Sequence, residues 1–263
     1  MKLSDKLWNW GHLEGSHNNC RNCEEFNCKM TPEQYAEEYG IRNSFIVSYG
    51  GNIQPPFNPF AKRFSSLREV KFSVVGDSSS PLPDAELGNT EDIIAALGDA
   101  DNITGAIVDD FFSPKRMERF TPEVLKKIKA TLNAKGLDFW CVLYANQLDL
   151  DLEKYIECFD GVSFWFWTTP EHAHLEESLD RLFALANGKP VMLGIYVWDY
   201  GTGGKPMDIN LFQRQLDLYF DFLRQKKIEG IVFCSSTLGD APLETNKMLK
   251  DYIKRYGDEE IPE

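Results

Sequence analysis

The sequence predicts a single (β/α)8 barrel, on three observations: a strand-then-helix unit that recurs along the chain, a count of eight such strands, and a length of 263 residues, that of one complete barrel. Apolar runs of strand length fall at 7–12, 44–49, 70–75, 103–109, 139–145, 162–167, 191–198 and 230–234. Several are nearly continuous in apolar residues, as strands of a parallel sheet covered on both faces must be. A doubly wound open sheet uses the same alternation and is the main alternative. The count of eight favours closure, and no Gly-x-Gly-x-x-Gly follows the first strand to support a dinucleotide-binding sheet. The predicted organisation is one domain over 1–263, with a cysteine-rich first βα loop at about 12–30.

The helices between the strands carry their own end signals. Thr31-Pro32-Glu33-Gln34 offers an N-cap hydroxyl, a proline at the first helical position and a side chain three residues on that closes a capping box, and Gly40 stands where the helix stops. Thr121-Pro122-Glu123 repeats the start and Gly136 the stop. In the seventh helix Phe212, Leu216, Tyr219, Phe220 and Leu223 make one apolar stripe to lie against a sheet. The second unit is the exception. Pro55, Pro56 and Pro59 interrupt any long helix before Val70, so a loop with a short helical turn is expected there.

Apolar residues make up 43 % and charged residues 26 % of the chain, the balance of a globular protein. A formal charge of −13 argues against nucleic acid or an anionic membrane as a partner, since both attract Lys- and Arg-rich surfaces. Neutral or cationic small molecules or oligosaccharides fit better, and oligomeric state is not legible. Met1-Lys2-Leu3-Ser4-Asp5-Lys6 supplies no apolar signal core, and no later run is long enough to span a bilayer, so the chain as given reads as cytoplasmic, or as secreted had a signal been removed.

In a barrel of this kind the pocket is built at the C-terminal ends of the strands. Those ends carry Trp10, His12 and Glu14; Tyr49, Asn52 and Gln54; Asp77; Asp109 and Asp110; Tyr144, Asn146 and Gln147; Trp165, Trp167 and Thr168; Tyr196, Trp198, Asp199 and Tyr200; Ser235 and Ser236. Aromatic faces suit the C–H surfaces of sugar rings, while carboxylates and amides bond hydroxyls in fixed directions. Trp or Tyr at five of the eight strand ends raises this reading above a barrel mouth merely filled with aromatics. The expected sugar-binding set is Trp10, His12, Glu14, Tyr49, Tyr144, Asn146, Trp165, Trp167, Tyr196 and Trp198.

Asp109, Asp110 and Asp199 are the candidate catalytic carboxyls. Side chains of neighbouring strand residues point to opposite faces, so only one of Asp109 and Asp110 is expected to enter the pocket, with Asp110 favoured. The fourth and seventh strands lie roughly across a closed barrel, which lets Asp110 and Asp199 flank a bond held over its centre. Glycoside hydrolysis needs that: one group protonates the departing oxygen, and the other attacks the anomeric carbon or activates water. The competing role for a strand-end aspartate is to organise a loop.

Trp8-x-x-Gly11-His12, Val108-Asp109-Asp110-Phe111-Phe112, Phe164-Trp165-Phe166-Trp167 and Tyr196-Val197-Trp198-Asp199-Tyr200 together resemble the (β/α)8 glycoside hydrolases, over nearly the whole chain. The resemblance implies a carbohydrate substrate. In the large retaining group of that fold the acids at strands four and seven are glutamates, with Asn before the first. Here both are aspartates and Asp109 takes the place of Asn, a departure that points to another family of the fold or to a barrel that has lost catalysis.

Three further constellations compete. His17, Cys20, Cys23 and Cys28 crowd into the first loop as four soft ligands for a structural zinc, the alternative being free thiols; no other cofactor is required. Cys141, Cys158 and Cys234 fall in apolar segments as core thiols. His172-Ala173-His174 resembles a metal-binding histidine pair but follows the sixth strand instead of the first, so solvent-facing histidines are the default. Gly201-Thr202-Gly203-Gly204-Lys205 sits where barrels bind phosphate, without P-loop spacing. The function read from the sequence is a glycoside hydrolase. Its alternatives are a non-catalytic carbohydrate-binding barrel and a barrel enzyme acting on a phosphorylated metabolite.

Overall fold

The structure is a computed structural model and describes residues 1–18 and 26–262. The strands are β1 (Leu7–Gly11), β2 (Asn43–Ile46), β3 (Glu69–Val75), β4 (Ile103–Val108), β5 (Asp138–Tyr144), β6 (Gly161–Trp165), β7 (Val191–Tyr196), the short β8 (Trp198–Asp199) and β9 (Lys205–Pro206), and β10 (Gly230–Cys234). All but β8 and β9 close into one parallel barrel in the order β1-β10-β7-β6-β5-β4-β3-β2, so the open-sheet alternative is excluded. Closure is made by β1 against β10, with Leu7 opposite Ile231 and Asn9 opposite Phe233.

Six strands end before their apolar runs do, β2 by the most, and the ends of β2 and β7 bear on the site. β2 stops at Ile46, and the chain turns through Gly50 and Gly51, both at positive φ, with the Asn52 N–H closing on the Tyr49 carbonyl at 3.1 Å. The predicted seventh strand breaks at Val197, and Trp198–Asp199 pairs instead with Lys205–Pro206 as an antiparallel hairpin outside the barrel. That break removes Asp199 from the barrel wall.

Helix ends follow the local signals. At α1 (Pro32–Tyr39) the Thr31 hydroxyl accepts from the Gln34 N–H at 3.2 Å, the Gln34 side chain returns to the Thr31 N–H at 3.0 Å, and Gly40 ends the helix at φ 73°. The helix Pro122–Asn133 starts after Thr121 as expected, although the Thr121 side chain caps no N–H. The proline-rich second unit contains a six-residue helix, Asn58–Arg63, and a single 3-10 turn. In the helix Ile209–Arg224 the predicted stripe is the buried face, and Asp208 caps its start. Among the described residues no helix is long and apolar enough to cross a membrane.

The barrel interior is packed with large rings. Trp8 and Trp10 lie 5.0 and 5.4 Å from Phe45, and Trp165 lies 5.4 Å from Trp10 and 4.8 Å from Tyr196. Each such ring contributes roughly 4–6 kcal/mol of gross burial free energy. Glycines make the space: a Cβ on Gly194 would stand 2.0 Å from the Trp165 indole, and one on Gly161 2.5 Å from that of Trp140. At the N-terminal end of the strands Lys71, 2 % exposed, donates to both carboxyl oxygens of Asp138 at 2.6 and 2.7 Å and lies over the Trp8 and Trp140 rings.

Candidate active site

A cavity of about 530 Å³ opens at the C-terminal ends of the strands, where barrel chemistry resides. Of the predicted residues, Trp10, His12, Tyr49, Tyr144, Asn146, Trp167 and Tyr196 line it, together with Asp109 and Asp110. His17, expected as a metal ligand, lines it too.

Both β4 aspartates reach the cavity, where strand alternation allowed only one. β4 ends at Val108, and Asp110 takes up the left-handed conformation at φ 45°, which reverses the direction its side chain would have had on a continued strand. The left-handed backbone at Asp110 is held by its neighbour, since the Asp110 N–H donates to Asp109 Oδ1 at 2.8 Å. Asp110 Oδ1 accepts from the Tyr144 hydroxyl at 2.8 Å and Oδ2 from the Ser78 N–H at 2.8 Å, tying the β3, β4 and β5 ends together.

Asp77 completes an acidic group. Its Oδ1 accepts from the Gly50 N–H at 3.2 Å and the Ser80 hydroxyl at 2.6 Å, and its Oδ2 from the Ser79 hydroxyl at 2.5 Å. Burial, with Asp110 and Asp77 close by, pushes the Asp109 carboxyl well above the usual range, against a smaller opposite pull from Arg116. Arg116 is itself buried and donates to the backbone carbonyls of Gly76 at 2.7 Å and of Asp77 and Asp109. It positions the two loops that carry the acids. Nothing in the sequence singles Arg116 out, because its role arises only when the β3 and β4 ends meet it in space.

The histidines form a chain beside these acids. His12 Nδ1 and His17 Nε2 face each other at 2.9 Å, and His17 Nδ1 faces the Tyr200 and Thr237 hydroxyls at 2.6 and 2.8 Å. Burial pushes the His12 imidazole down to about 3 and that of His17 well below its ordinary value, so both rings are neutral at pH 7. His12 Nε2 is buried without a partner. His17 thus has both ring nitrogens engaged in hydrogen bonds. Cys28 is a buried thiol whose backbone is clamped by Asn18 at 2.8 and 2.9 Å, while Cys20 and Cys23 lie outside the described residues. Among the described residues no three His, Cys, Asp or Glu side chains are grouped as metal ligands would be.

Four predicted residues stand apart from the cavity. Asp199 is 1 % exposed; its Oδ1 accepts from the Thr202 N–H at 2.8 Å and its Oδ2 from the Thr169 hydroxyl, so it organises its own loop and does not stand across from Asp110 in the cavity wall. Trp198 is buried on the same hairpin against Phe26. Trp165 is buried beneath the cavity, its indole N–H donating to Ser163 at 2.8 Å. Glu14 pairs with Arg63 at 2.8 Å, and Arg63 pairs in turn with Glu33. Tyr200, Asp77 and Gln147, named only as strand-end residues, do line the cavity, as do Ser78, Ser79, Phe112, Ser113 and Cys234.

The other two constellations lie within the described residues. His174 faces solvent beside Glu177, whereas His172 is buried, its Nδ1 against the Thr168 and Thr169 carbonyls at 3.1 and 3.2 Å. The Gly201–Lys205 segment makes the turn of the β8–β9 hairpin, with Lys205 exposed. Among the described residues no Lys or Arg lines the cavity.

No protein-family model matches this chain, and no curated protein matches it in sequence. Solved structures do match in shape. The spore cortex-lytic enzyme SleL of Bacillus megaterium superposes with a TM-score of 0.55 at 14% identity, over 98% of this chain and 74% of that one. A zinc-bound amidohydrolase of Burkholderia multivorans gives 0.60 at 10% identity, over 98% and 92%. A chitinase of Chromobacterium violaceum gives 0.56 at 11% identity, over 94% and 98%. At such identities the likeness is one of fold, and the barrel is one that a chitinase and an amidohydrolase share.

Proposed function

We propose that this barrel is a glycoside hydrolase whose carboxyl pair lies side by side at the end of β4. Asp109 is the acid: burial keeps its proton on, and it delivers that proton to the glycosidic oxygen as the C–O bond breaks. Asp110, with both oxygens acting as acceptors, attacks the anomeric carbon or takes a proton from the attacking water. Trp167, at 38 % exposure the cavity's most open ring, stacks on Tyr200 at 6.3 Å and offers a platform for a sugar face. The single observation that carries this reading is the left-handed turn at Asp110, which brings two carboxyls of unlike environment into one aromatic cavity.

The test is hydrolysis of a panel of aryl glycosides by the wild type and by Asp109→Asn and Asp110→Asn. A substrate turned over by the wild type and not by the variants, with neither variant melting below the wild type, supports the assignment. Activity retained in both variants overturns it.

A second reading, a carbohydrate-binding barrel without turnover, is favoured by the commitment of Asp199 to its own loop, which among the described residues leaves no carboxyl at the β7 end of the cavity. Calorimetric binding of a sugar with no release of reducing ends would select it. The phosphorylated-metabolite reading loses its support, since three carboxyls and no cationic side chain line the cavity among the described residues.

A further inference from the structure

Asp77, Asp109 and Asp110 share one cavity, yet every hydrogen bond given to their carboxyl oxygens comes from a neutral donor: the backbone N–H groups of Gly50, Ser78 and Asp110, or the hydroxyls of Ser79, Ser80 and Tyr144. The buried guanidinium nearby gives its N–H groups to main-chain carbonyls and bonds none of the three carboxyls. The same wall holds the unpartnered Nε2 of His12, a residue 94 % buried (6 % exposed). Among the described residues a surplus of acceptors, with the negative charge of Asp77 and Asp110, therefore faces the cavity, flanked by the rings of Tyr49, Tyr144, Trp167 and Tyr200.

The geometry points to an ammonium-bearing ligand, in sugar terms an amino sugar with its nitrogen unacylated, as the molecule this cavity selects. An ammonium group is all donor, with three N–H bonds and no acceptor, and so complements a wall of carboxylate and imidazole lone pairs. His12 meets it as an acceptor when its own proton sits on Nδ1 and is donated to His17 Nε2, with the His17 proton passing the hydrogen bond on to Tyr200 or Thr237. Aromatic faces add attraction for a cation that they do not have for a neutral hydroxyl. The sugar half of this inference rests on the carbohydrate reading above; the cationic half does not.

Calorimetry of the full chain at pH 6.5 with glucosamine, N-acetylglucosamine, glucose and choline separates the two halves. Glucosamine is expected to bind at least tenfold more tightly than glucose or N-acetylglucosamine, with an advantage that shrinks as salt is raised. Asp77→Asn and Asp110→Asn are each expected to cut the glucosamine-over-glucose affinity ratio several-fold, and the second variant guards against a loop disturbance in the first. Neutral sugars binding as well as glucosamine would overturn the inference and leave the glycosidase reading standing. Binding of choline without any sugar would uphold the cationic site and sink the carbohydrate reading. Failure of all four probes to bind would overturn both, and an advantage untouched by both variants would overturn the assignment to these carboxyls.

Discussion

At the N-terminal end of the strands a buried lysine meets its carboxylate, Lys71 to Asp138 at 2.6 Å, sandwiched by indole rings. At the C-terminal end Asp77, Asp109 and Asp110 crowd together with, among the described residues, only neutral donors on their carboxyl oxygens. Both ends place ionisable groups in a largely dry interior, and they differ in whether the charge is matched. A matched pair with good geometry is part of the scaffold. An unmatched cluster costs stability, and such costs persist where a ligand or a reaction uses them. The C-terminal end is therefore where function is to be sought, on electrostatic grounds independent of the fold's precedent.

The contrast is broken most severely by activity. Asp109→Asn and Asp110→Asn are each expected to lower kcat on a hydrolysed glycoside by roughly 10²–10⁴-fold, the range for a lost acid or base. At the other end Lys71→Met should cost about 2–3 kcal/mol in urea unfolding, less than a fully buried broken pair because the Asp138 side chain is 39 % exposed and can turn to water. Unchanged stability there would mean that the pair is no part of the scaffold. Asp109→Asn should by contrast gain about 1 kcal/mol at neutral pH, since the amide keeps an acceptor for the Asp110 N–H and removes a buried carboxyl that takes up a proton on folding.

The pH dependence sharpens the same point. Native Asp109 holds its proton above the ordinary value of 3.8, so over that window the native state binds more protons than the unfolded chain. Stability from this group is full below about pH 4 and is lost as pH rises through the native value. His12 acts oppositely: native at about 3 against an ordinary 6.5, it withdraws stability as pH falls from 6.5 toward 3. Melting temperatures across pH should show the alkaline-side loss flattened in Asp109→Asn; an unaltered slope would contradict the burial argument. The smallest expected effect is at the cavity's exposed rim, where Trp167→Ala should weaken sugar binding about fivefold to tenfold with no change in melting temperature.

What was legible in the sequence differs between backbone and site. Local patterns carried the capping box at Thr31–Gln34, the stripe on the helix Ile209–Arg224 and all eight barrel strands, because periodicity and capping act over a few residues. The separation of Asp199 from Asp110 was not legible. An apolar run through Val197 looks continuous with β7, and only the antiparallel pairing with Lys205–Pro206 carries Asp199 out to hold Thr169 and Thr202. Trp165 and Trp167 were equivalent as sequence signals, yet Gly194 on the neighbouring strand opens space that takes in the first ring and leaves the second outside.

The sequence alone determined that this chain makes eight parallel strands with an aromatic and acidic rim, since binary pattern and helix caps are properties of short segments. The tertiary structure decided which acids share a cavity, that burial raises the Asp109 carboxyl above its ordinary value and that Arg116 holds the loops beneath them. Those outcomes depend on distances between residues far apart in the chain and on how much water each group loses, and no local pattern encodes either.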